Sequence, residues 1–233
     1  MTHILFPLPD PVLVPVRGET AAYAVRRIFC VGRNYADHAR EMGAEVDREA
    51  PFYFTKSLQA VLASGATLPY PPGTADLHHE VELVLAIGRP VFRASRAEAE
   101  AAILAYGTGL DMTRRDLQGV AKDKRRPWDL GKDFEGSAVL SALTPAAALG
   151  EIGPQRIWLS VNGVVRQDAH LSELIHGVAE IVADLSRFYH LAPGDLIMTG
   201  TPAGVGAVGP GDRLEGGVEG LDPVSLTIGP REA

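Results

Sequence analysis

The sequence predicts an α+β protein that is β-rich and has few short helices. Its 25 glycines and 17 prolines are spread along 233 residues and divide the chain into short segments, as in proteins with many turns. Several of these segments are runs of β-branched or aliphatic residues. The chain shows no repeat with a period of about 20 to 50 residues, which argues against a solenoid or a propeller.

Six short segments are predicted to form strands because they are aliphatic and are bounded by Gly, Pro or Asn. They are Arg27 to Val31, Val81 to Ile87, Gly109 to Met112, Ile157 to Val161, Asp195 to Thr199 and Val224 to Ile228.

Three helices are predicted between the strands. The shortest spans Tyr35 to Met42. Ser95 and Glu98 form a capping-box pattern, which predicts a second helix running to Tyr106. Apolar residues at helical spacing from Ile175 to Tyr189 predict the third.

Composition and charge exclude several classes of protein. No linker or charge block divides the chain, so we expect a single domain over residues 24–233 after an extended N-terminal arm over residues 1–23. The 29 acidic residues exceed the 22 basic ones, which argues against a nucleic-acid partner, and no apolar run is long enough to be a membrane span.

The single cysteine, Cys30, lies in an apolar strand, so we expect a core residue and a cytoplasmic protein without disulfides.

Two carboxylates interrupt the apolar strand that ends at Ile87. Glu80 and Glu82 are two residues apart, so strand geometry places them on one face. A buried carboxylate without a partner costs several kcal/mol, so either a cation lies beside it or it is protonated. Alternatively, the strand is an edge strand and both side chains are solvated.

Asp111 interrupts another short apolar strand in the same way. Three carboxylates on neighbouring strands would suit Mg²⁺ or Mn²⁺ and would leave coordination positions for a substrate. His78 shares the parity of Glu80 and Glu82, so a site for Fe²⁺ or Zn²⁺ with one histidine is an alternative. His78 can also be an ordinary residue at the end of the strand.

Three further segments carry candidate residues. His38 and Glu41 share a helical face and could form an acid/base pair, or they could be an exposed surface pair. Lys132 follows a glycine and could stabilise an anionic intermediate or lie at the surface. The glycine-rich segment 199–206 follows a strand and could approach a small anion, with Thr201 offering a hydroxyl. Residues 204–209 also fit G-x-G-x-x-G, but a turn follows them, so we reject a dinucleotide site.

The segments that carry these residues, in their order and spacing, resemble the fumarylacetoacetate hydrolase family. The resemblance extends from about Ile28 to Ile228 and rests on the segments 28–35, 80–82, 111–118, 131–132 and 199–206. Residues 35–42 are similar to the acylpyruvase and fumarylpyruvate hydrolase branch of that family.

The resemblance implies a mixed β-sandwich roll of the fumarylacetoacetate hydrolase C-terminal-domain type, usually a homodimer. It implies that Mg²⁺ or Mn²⁺ is held by Glu80, Glu82 and Asp111, that His38 and Glu41 activate water, that Gln118, Lys132 and Thr201 line the substrate site, and that Arg33 is a candidate for binding the substrate carboxylate.

The activity implied is hydrolysis of the C–C bond of a 2,4-dioxo acid through a pyruvate enolate. Fumarylpyruvate, which would give fumarate and pyruvate, or a related acylpyruvate is the expected substrate, in bacterial gentisate breakdown. Decarboxylation of oxaloacetate would pass through the same enolate and is the alternative. A metal-dependent binding protein without turnover is the second alternative.

At three positions the chain differs from the residue that is usual in the family. Ser57 replaces a usual proline, Arg114 a common alanine, and Asp133 a frequent serine. None of them is a proposed metal ligand. They could change the outer part of the substrate pocket and therefore which acyl group the substrate carries.

Overall fold

The computed structural model describes residues 5–7, 9–43 and 48–231 of the chain. The strands are β1 (Leu13–Pro15), β2 (Ala22–Ala24), β3 (Arg27–Gly32), β4 (Phe52–Lys56), β5 (Val61–Ala63), β6 (Thr67–Tyr70), β7 (Leu77–His79), β8 (Val81–Ile87), β9 (Ile103–Asp111), β10 (Thr113–Arg114), β11 (Ala138–Leu140), β12 (Thr144–Pro145), β13 (Arg156–Val161), β14 (Val164–His170), β15 (Asp195–Met198), β16 (Gly206–Val208), β17 (Arg213–Val218) and β18 (Val224–Arg231). The helices are α1 (Ala36–Glu41), α2 (Arg96–Glu100), α3 (Arg115–Asp123), α4 (Asp129–Lys132), α5 (Ala146–Leu149) and α6 (Val178–Leu185), and 3₁₀ turns span Leu58–Ala60 and Leu171–Glu173.

Two sheets that pack against each other form the body of the fold. The larger is a mixed sheet in the order β4-β3-β15-β8-β9-β11-β5, with β12 beside β9. The smaller, in the order β14-β13-β17-β18-β6, contacts β8 and β9 through β13, β17 and β18. A third sheet of three short strands, β10-β7-β16, lies at the end of β8. The predicted β-rich α+β fold with few short helices is therefore confirmed.

Strand β8 lies inside the larger sheet, and its side chains alternate between two apolar cores. The odd-numbered residues from Val81 to Ile87 belong to the core between the two sheets. Val84 and Ala86 belong to a second core on the opposite face. Because alternate strand residues share a face, Glu82 lies on the side of the second core.

The N-terminal hairpin of β1 and β2 packs on this second core. Val14 and Tyr23 are buried there, together with the thiol of Cys30. The Tyr23 hydroxyl is within 2.9 Å of the carbonyl oxygens of Ile87 and Asp195, at the ends of two neighbouring strands. Cys30 is a core residue, as predicted, and burial raises the pKa of its thiol. The division at residue 23 stays a prediction, and residues 1–4 and 8 of the predicted arm lie outside the described residues.

The strand predicted over Val81 to Ile87 has the bounds of β8. The helix predicted from Ser95 to Tyr106 begins as expected, with the capping box of Ser95, but it ends at Glu100. Its predicted second half is wrong, because the segment from Ile103 pairs with β8 and forms β9 instead. Pairing with a central strand outweighs the helix propensity of an alanine-rich segment.

The other two helices form where they are predicted, although α6 is shorter than the apolar pattern suggested. No helix among the described residues is long and apolar enough to cross a membrane.

Candidate active site

Three buried carboxylates meet where β8 and β9 lie side by side. Glu80 lies between β7 and β8, Glu82 lies in β8, and Asp111 is the last residue of β9. The backbone N–H of Asp111 donates to the carbonyl oxygen of Glu80 at 2.8 Å, which places the two side chains together. One oxygen of each carboxylate lies within 4.8 Å of the others. The edge-strand alternative is wrong, because β8 is an interior strand and both glutamates are buried.

Two lysines and an arginine neutralise part of this negative charge. Lys132 Nζ lies 2.8 Å from Glu80 Oε2 and 2.7 Å from Asp111 Oδ2, and Lys56 Nζ lies 2.8 Å from Asp111 Oδ1. Arg115 pairs with the second oxygen of Glu80. Burial alone would raise the pKa of Glu80, but Lys132 and Arg115 outweigh it and hold this pKa well below its usual range.

Glu82 differs from the other two carboxylates because it forms no ion pair within the described part of the chain. Its Oε2 accepts a hydrogen bond from the backbone N–H of Gly200 at 2.7 Å. Burial and the neighbouring charges of Asp111 and Glu80 raise its pKa well above the usual range. A further positive charge at this point would therefore stabilise the ionised form.

This donor set fits a hard divalent cation. It offers carboxylate oxygens from three residues, and one of them lacks a cationic partner. His78 does not join the cluster: its Nε2 lies 2.9 Å from Asp76 Oδ1, and its Nδ1 accepts a hydrogen bond from Arg115 at 3.3 Å. The alternative of a histidine-containing site for Fe²⁺ or Zn²⁺ is therefore not supported by the geometry.

His38 and Glu41 form the predicted pair on α1. His38 Nδ1 lies 3.2 Å from Glu41 Oε2, and the imidazole is buried while Glu41 stays partly exposed. Burial lowers the pKa of His38, although the charges of Glu80 and Glu41 oppose this effect. The imidazole is therefore neutral near pH 7. The alternative of a solvated surface pair does not describe this buried histidine.

The backbone of Gly204 also binds the Glu41 carboxylate. Its backbone N–H lies 3.0 Å from Glu41 Oε1, so the carboxylate is fixed between the imidazole and the loop. Gly204 has a φ of +96°, and an added Cβ would lie 2.0 Å from the carbonyl oxygen of Arg166. Only glycine fits there. The loop predicted to approach a small anion thus uses two of its N–H groups, those of Gly200 and Gly204, to bind the chain's own carboxylates.

A close contact between helices places Lys132 at the carboxylates. Gly131 in α4 packs on α3, and an added Cβ there would lie 2.9 Å from the backbone nitrogen of Gln118. This close approach explains the glycine before Lys132. The buried ammonium donates to Thr113 Oγ1 at 2.8 Å in addition to the two carboxylates.

One small inner cavity joins the predicted site residues. Its volume is about 30 Å³, and every one of them except Glu41 lines it: Arg33, His38, Glu80, Glu82, Asp111, Gln118, Lys132 and Thr201. Glu41 does not line the cavity, but it contacts His38, which does. The Gln118 side-chain oxygen accepts a hydrogen bond from Arg115 at 2.7 Å. The Thr201 hydroxyl lies 2.8 Å from the Val81 carbonyl oxygen, so its position is fixed by β8.

Three residues at the site, of which Lys56 and Gln167 are buried and Arg115 is partly buried, were not predicted from the sequence. Lys56 ends a strand, β4, that was not predicted, and Arg115 opens an unpredicted helix three residues before Gln118. That i, i+3 spacing was the available signal for Arg115. Gln167 lies in β14. Its side-chain amide forms hydrogen bonds with His79, the Val81 N–H, the Thr201 hydroxyl and the Pro202 carbonyl. No sequence pattern marks it.

The three residues that differ from the usual family residues contact one another or their neighbours. The Ser57 N–H and hydroxyl both donate to Asp133 Oδ1 at 2.8 Å, so the residues after Lys56 and Lys132 are bonded together. The Arg114 guanidinium lies 4.3 Å from the centroid of the Phe134 ring. These contacts tie β4 to α4 beside the two buried lysines.

Comparison with known proteins places the chain in one family. Residues 27–228 match the family described as Fumarylacetoacetate (FAA) hydrolase C-terminal. The chain is 54% identical to the fumarylpyruvate hydrolase of Ralstonia sp over 193 residues, which are 82% of this chain and 100% of that protein. It is 40% identical to the mitochondrial oxaloacetate tautomerase FAHD1 of Homo sapiens over 203 residues, which are 87% of this chain and 90% of that protein.

A solved structure agrees with this assignment. The crystal structure of fumarylpyruvate hydrolase from Pseudomonas aeruginosa in complex with Mn²⁺ and pyruvate superposes with a TM-score of 0.94 at 45% identity, covering 98% of this chain and 100% of that one. The chain therefore belongs to the fumarylacetoacetate hydrolase family.

Proposed function

We propose that this chain hydrolyses the C–C bond of a 2,4-dioxo acid, with fumarylpyruvate as the substrate and fumarate and pyruvate as the products. The observation that carries the proposal is the inner cavity, in which the imidazole of a His–Glu pair and three clustered carboxylates face the same space. The similarity to fumarylpyruvate hydrolases over most of the chain supports the choice of substrate.

Glu80, Glu82 and Asp111 are proposed to hold a divalent cation, Mg²⁺ or Mn²⁺. Glu82 supports this role because it lacks a cationic partner among the described residues and its pKa is raised, so a bound cation would stabilise its ionised form; the Mn²⁺ in the related Pseudomonas aeruginosa structure also supports it. When bound, the cation supplies positive charge to the oxygens of an oxo acid.

The His38–Glu41 pair is proposed to activate water. Glu41 accepts a proton from a water molecule while the neutral imidazole of His38 and the N–H of Gly204 orient its carboxylate. The water oxygen forms a bond to the distal carbonyl carbon of the substrate, and the C–C bond toward the pyruvyl group breaks. The electron pair of that bond passes to the pyruvyl fragment as an enolate, which is then protonated to pyruvate.

Lys132 is proposed to stabilise the enolate. Burial lowers the pKa of its ammonium, but the charges of Asp111 and Glu80 outweigh burial and raise it, so the group stays protonated at neutral pH. A fixed positive charge beside a developing enolate oxygen lowers the barrier more than it stabilises the ground state. Gln118 and Thr201 are proposed to contact the bound acid, and Arg33 its carboxylate.

A second candidate function is the conversion of oxaloacetate on the same site. Relatives at 39–41% identity are named oxaloacetate tautomerases, and one from Dictyostelium discoideum at 37% is named an oxaloacetate decarboxylase. Loss of CO₂ from oxaloacetate would give the same enolate. A binding protein without turnover is disfavoured, because it would have no use for a buried histidine paired with a carboxylate.

A substrate panel tests the proposal. We expect kcat/KM for fumarylpyruvate, followed by the loss of its ultraviolet absorbance, to exceed the values for acetylpyruvate and oxaloacetate. A higher value for oxaloacetate would favour the second candidate. No turnover of any of the three would favour the binding protein.

The oligomeric state, the compartment and the pathway are also proposals. We infer a homodimer in the cytoplasm that acts in gentisate breakdown; the buried, unpaired Cys30 is consistent with a reducing compartment. Light scattering after size-exclusion chromatography tests the dimer, and a monomer at micromolar concentration would contradict it.

The pH dependence of hydrolysis should report the buried imidazole. Burial lowers the pKa of His38 from its ordinary 6.5, and protonation would place a positive charge 3.2 Å from the carboxylate that accepts the proton. We therefore expect the acid limb of kcat/KM to be centred below pH 6.5. An acid limb centred at or above pH 6.5 would contradict this assignment.

A further inference from the structure

A second, larger cavity adjoins the inner one. It has a volume of about 490 Å³, within the usual range for small-molecule sites. Arg33, Phe54, Lys122, Trp128 and Lys132 line both cavities. A substrate whose reacting end occupies the inner cavity would therefore extend into the outer one.

The outer cavity carries an excess of positive charge. Four cationic residues besides Lys132 line it, namely Arg33, Lys122, Arg125 and Arg126, against the single carboxylate of Asp129. Within the described ranges, none of these four forms an ion pair with an Asp or Glu. Burial, together with the charges of Arg33 and Arg115, lowers the pKa of Lys122. A bound anion would relieve this repulsion.

Two of these arginines have an unusual backbone conformation. Arg33 has a φ of 58° and Arg125 a φ of 52°, in the left-handed region that residues with a Cβ rarely adopt. The turn at Arg125 is held by hydrogen bonds from its N–H to the Lys122 carbonyl at 3.1 Å and from the Arg126 N–H to the Ala121 carbonyl at 2.8 Å. Backbone strain of this kind is concentrated at functional sites.

Aromatic rings form one wall of the same cavity. The ring centroid of Trp128 lies 5.0 Å from that of Phe52 and 6.0 Å from that of Phe54. The Arg33 guanidinium lies 5.9 Å from the Trp128 ring. A flat, unsaturated acyl chain would pack along these rings, with its far end among the cations.

We propose that the outer cavity binds a second carboxylate at the far end of the acyl group, with Lys122, Arg125 and Arg126 as its partners. The chain thereby selects acylpyruvates whose acyl group is itself an acid. This inference rests on the proposed hydrolysis of 2,4-dioxo acids and assigns residues to the recognition of the acyl group. Lys122 is the central partner because it lines both cavities and lies at the end of α3.

The test compares two substrates that differ in the distal carboxylate. The ratio of kcat/KM for fumarylpyruvate over acetylpyruvate should fall about 10- to 100-fold in Lys122→Met, mainly through KM, because a charge-assisted hydrogen bond is lost. Lys124→Met is the matched control: Lys124 is exposed two residues further on and lines neither cavity, so the ratio should stay at the wild-type value. An Arg125→Gln variant should lower the ratio in the same direction.

A binding measurement separates this inference from the hydrolase proposal. Titration calorimetry should show that Lys122→Met weakens binding of fumarate, a dicarboxylate, about 10-fold or more while changing the binding of crotonate, a monocarboxylate, much less. Equal changes for both ligands, or an unchanged ratio of kcat/KM, would overturn the inference. If the wild-type protein turns over neither dioxo acid, the hydrolase proposal fails, and the calorimetry still decides whether this cavity recognises a distal carboxylate.

Discussion

Replacing Glu41 by Gln should lower kcat for fumarylpyruvate about 10²- to 10⁴-fold, the usual contribution of a positioned general base. Glutamine has nearly the same shape, and its side-chain oxygen can still accept the hydrogen bond from Gly204, but it cannot take a proton from water. Loss of fumarylpyruvate absorbance measures the rate. Calorimetric titration with Mn²⁺ should give the wild-type affinity within about threefold, because Glu41 is not among the clustered carboxylates.

Asp37→Asn is the control for this variant. Asp37 lies on the same helix and is exposed, where it pairs with Arg40 on the surface. Removing its charge should leave kcat unchanged. A Glu41→Gln protein with wild-type kcat would mean that another group accepts the proton.

Replacing Glu82 by Gln should abolish tight binding of a divalent cation and reduce kcat/KM for fumarylpyruvate about 100-fold or more. The same substitution should leave the metal-free protein as stable as the wild type or more stable. Burial and the charges of Asp111 and Glu80 raise the pKa of Glu82, so the folded, metal-free protein holds a proton there that the unfolded chain releases as the pH rises above 4.5. This linkage lowers the free energy of unfolding of the wild type at neutral pH, and a neutral Gln removes it.

Thermal unfolding at pH 7 in the presence and absence of Mn²⁺ measures both effects. Mn²⁺ should raise the Tm of the wild type but not that of Glu82→Gln. Glu215→Gln, at an exposed position in β17, is the matched control and should respond to Mn²⁺ like the wild type. A Glu82→Gln protein that Mn²⁺ still stabilises fully would show that the cation is held elsewhere.

The sequence predicts which of the site's side chains share a face because strand and helix periodicity are local patterns. Strand periodicity places Glu80 and Glu82 on one face, and the two apolar cores on either side of β8 confirm this alternation. Helical spacing pairs His38 with Glu41, and the structure brings these two side chains together.

The surroundings of the carboxylates depend on long-range packing and could not be predicted in the same way. Lys56 reaches Asp111 from a strand 55 residues away along the chain, and nothing in its neighbouring sequence marks it as buried. Helix α3 escaped prediction because it has no apolar stripe; its only buried residue is Gln118. Similarly, the segment from Ile103 becomes a strand because β8 is available to pair with it.

The basic outer cavity illustrates the same limit. Arg125 and Arg126 belong to a run of charges that reads as a solvated loop, whereas Arg33 lies about 90 residues earlier in the sequence. Only the fold brings these side chains to the lining of one cavity. Charge patterning along a sequence therefore did not reveal a candidate site for the acyl group.

Turnover of fumarylpyruvate before and after removal of metal tests the central claim most directly. Protein treated with EDTA, and shown by elemental analysis to be free of divalent cations, should lose its activity and regain it when Mg²⁺ or Mn²⁺ is added. Undiminished turnover by the stripped protein would contradict the assignment of Glu80, Glu82 and Asp111 as the ligands of a cation required for the reaction.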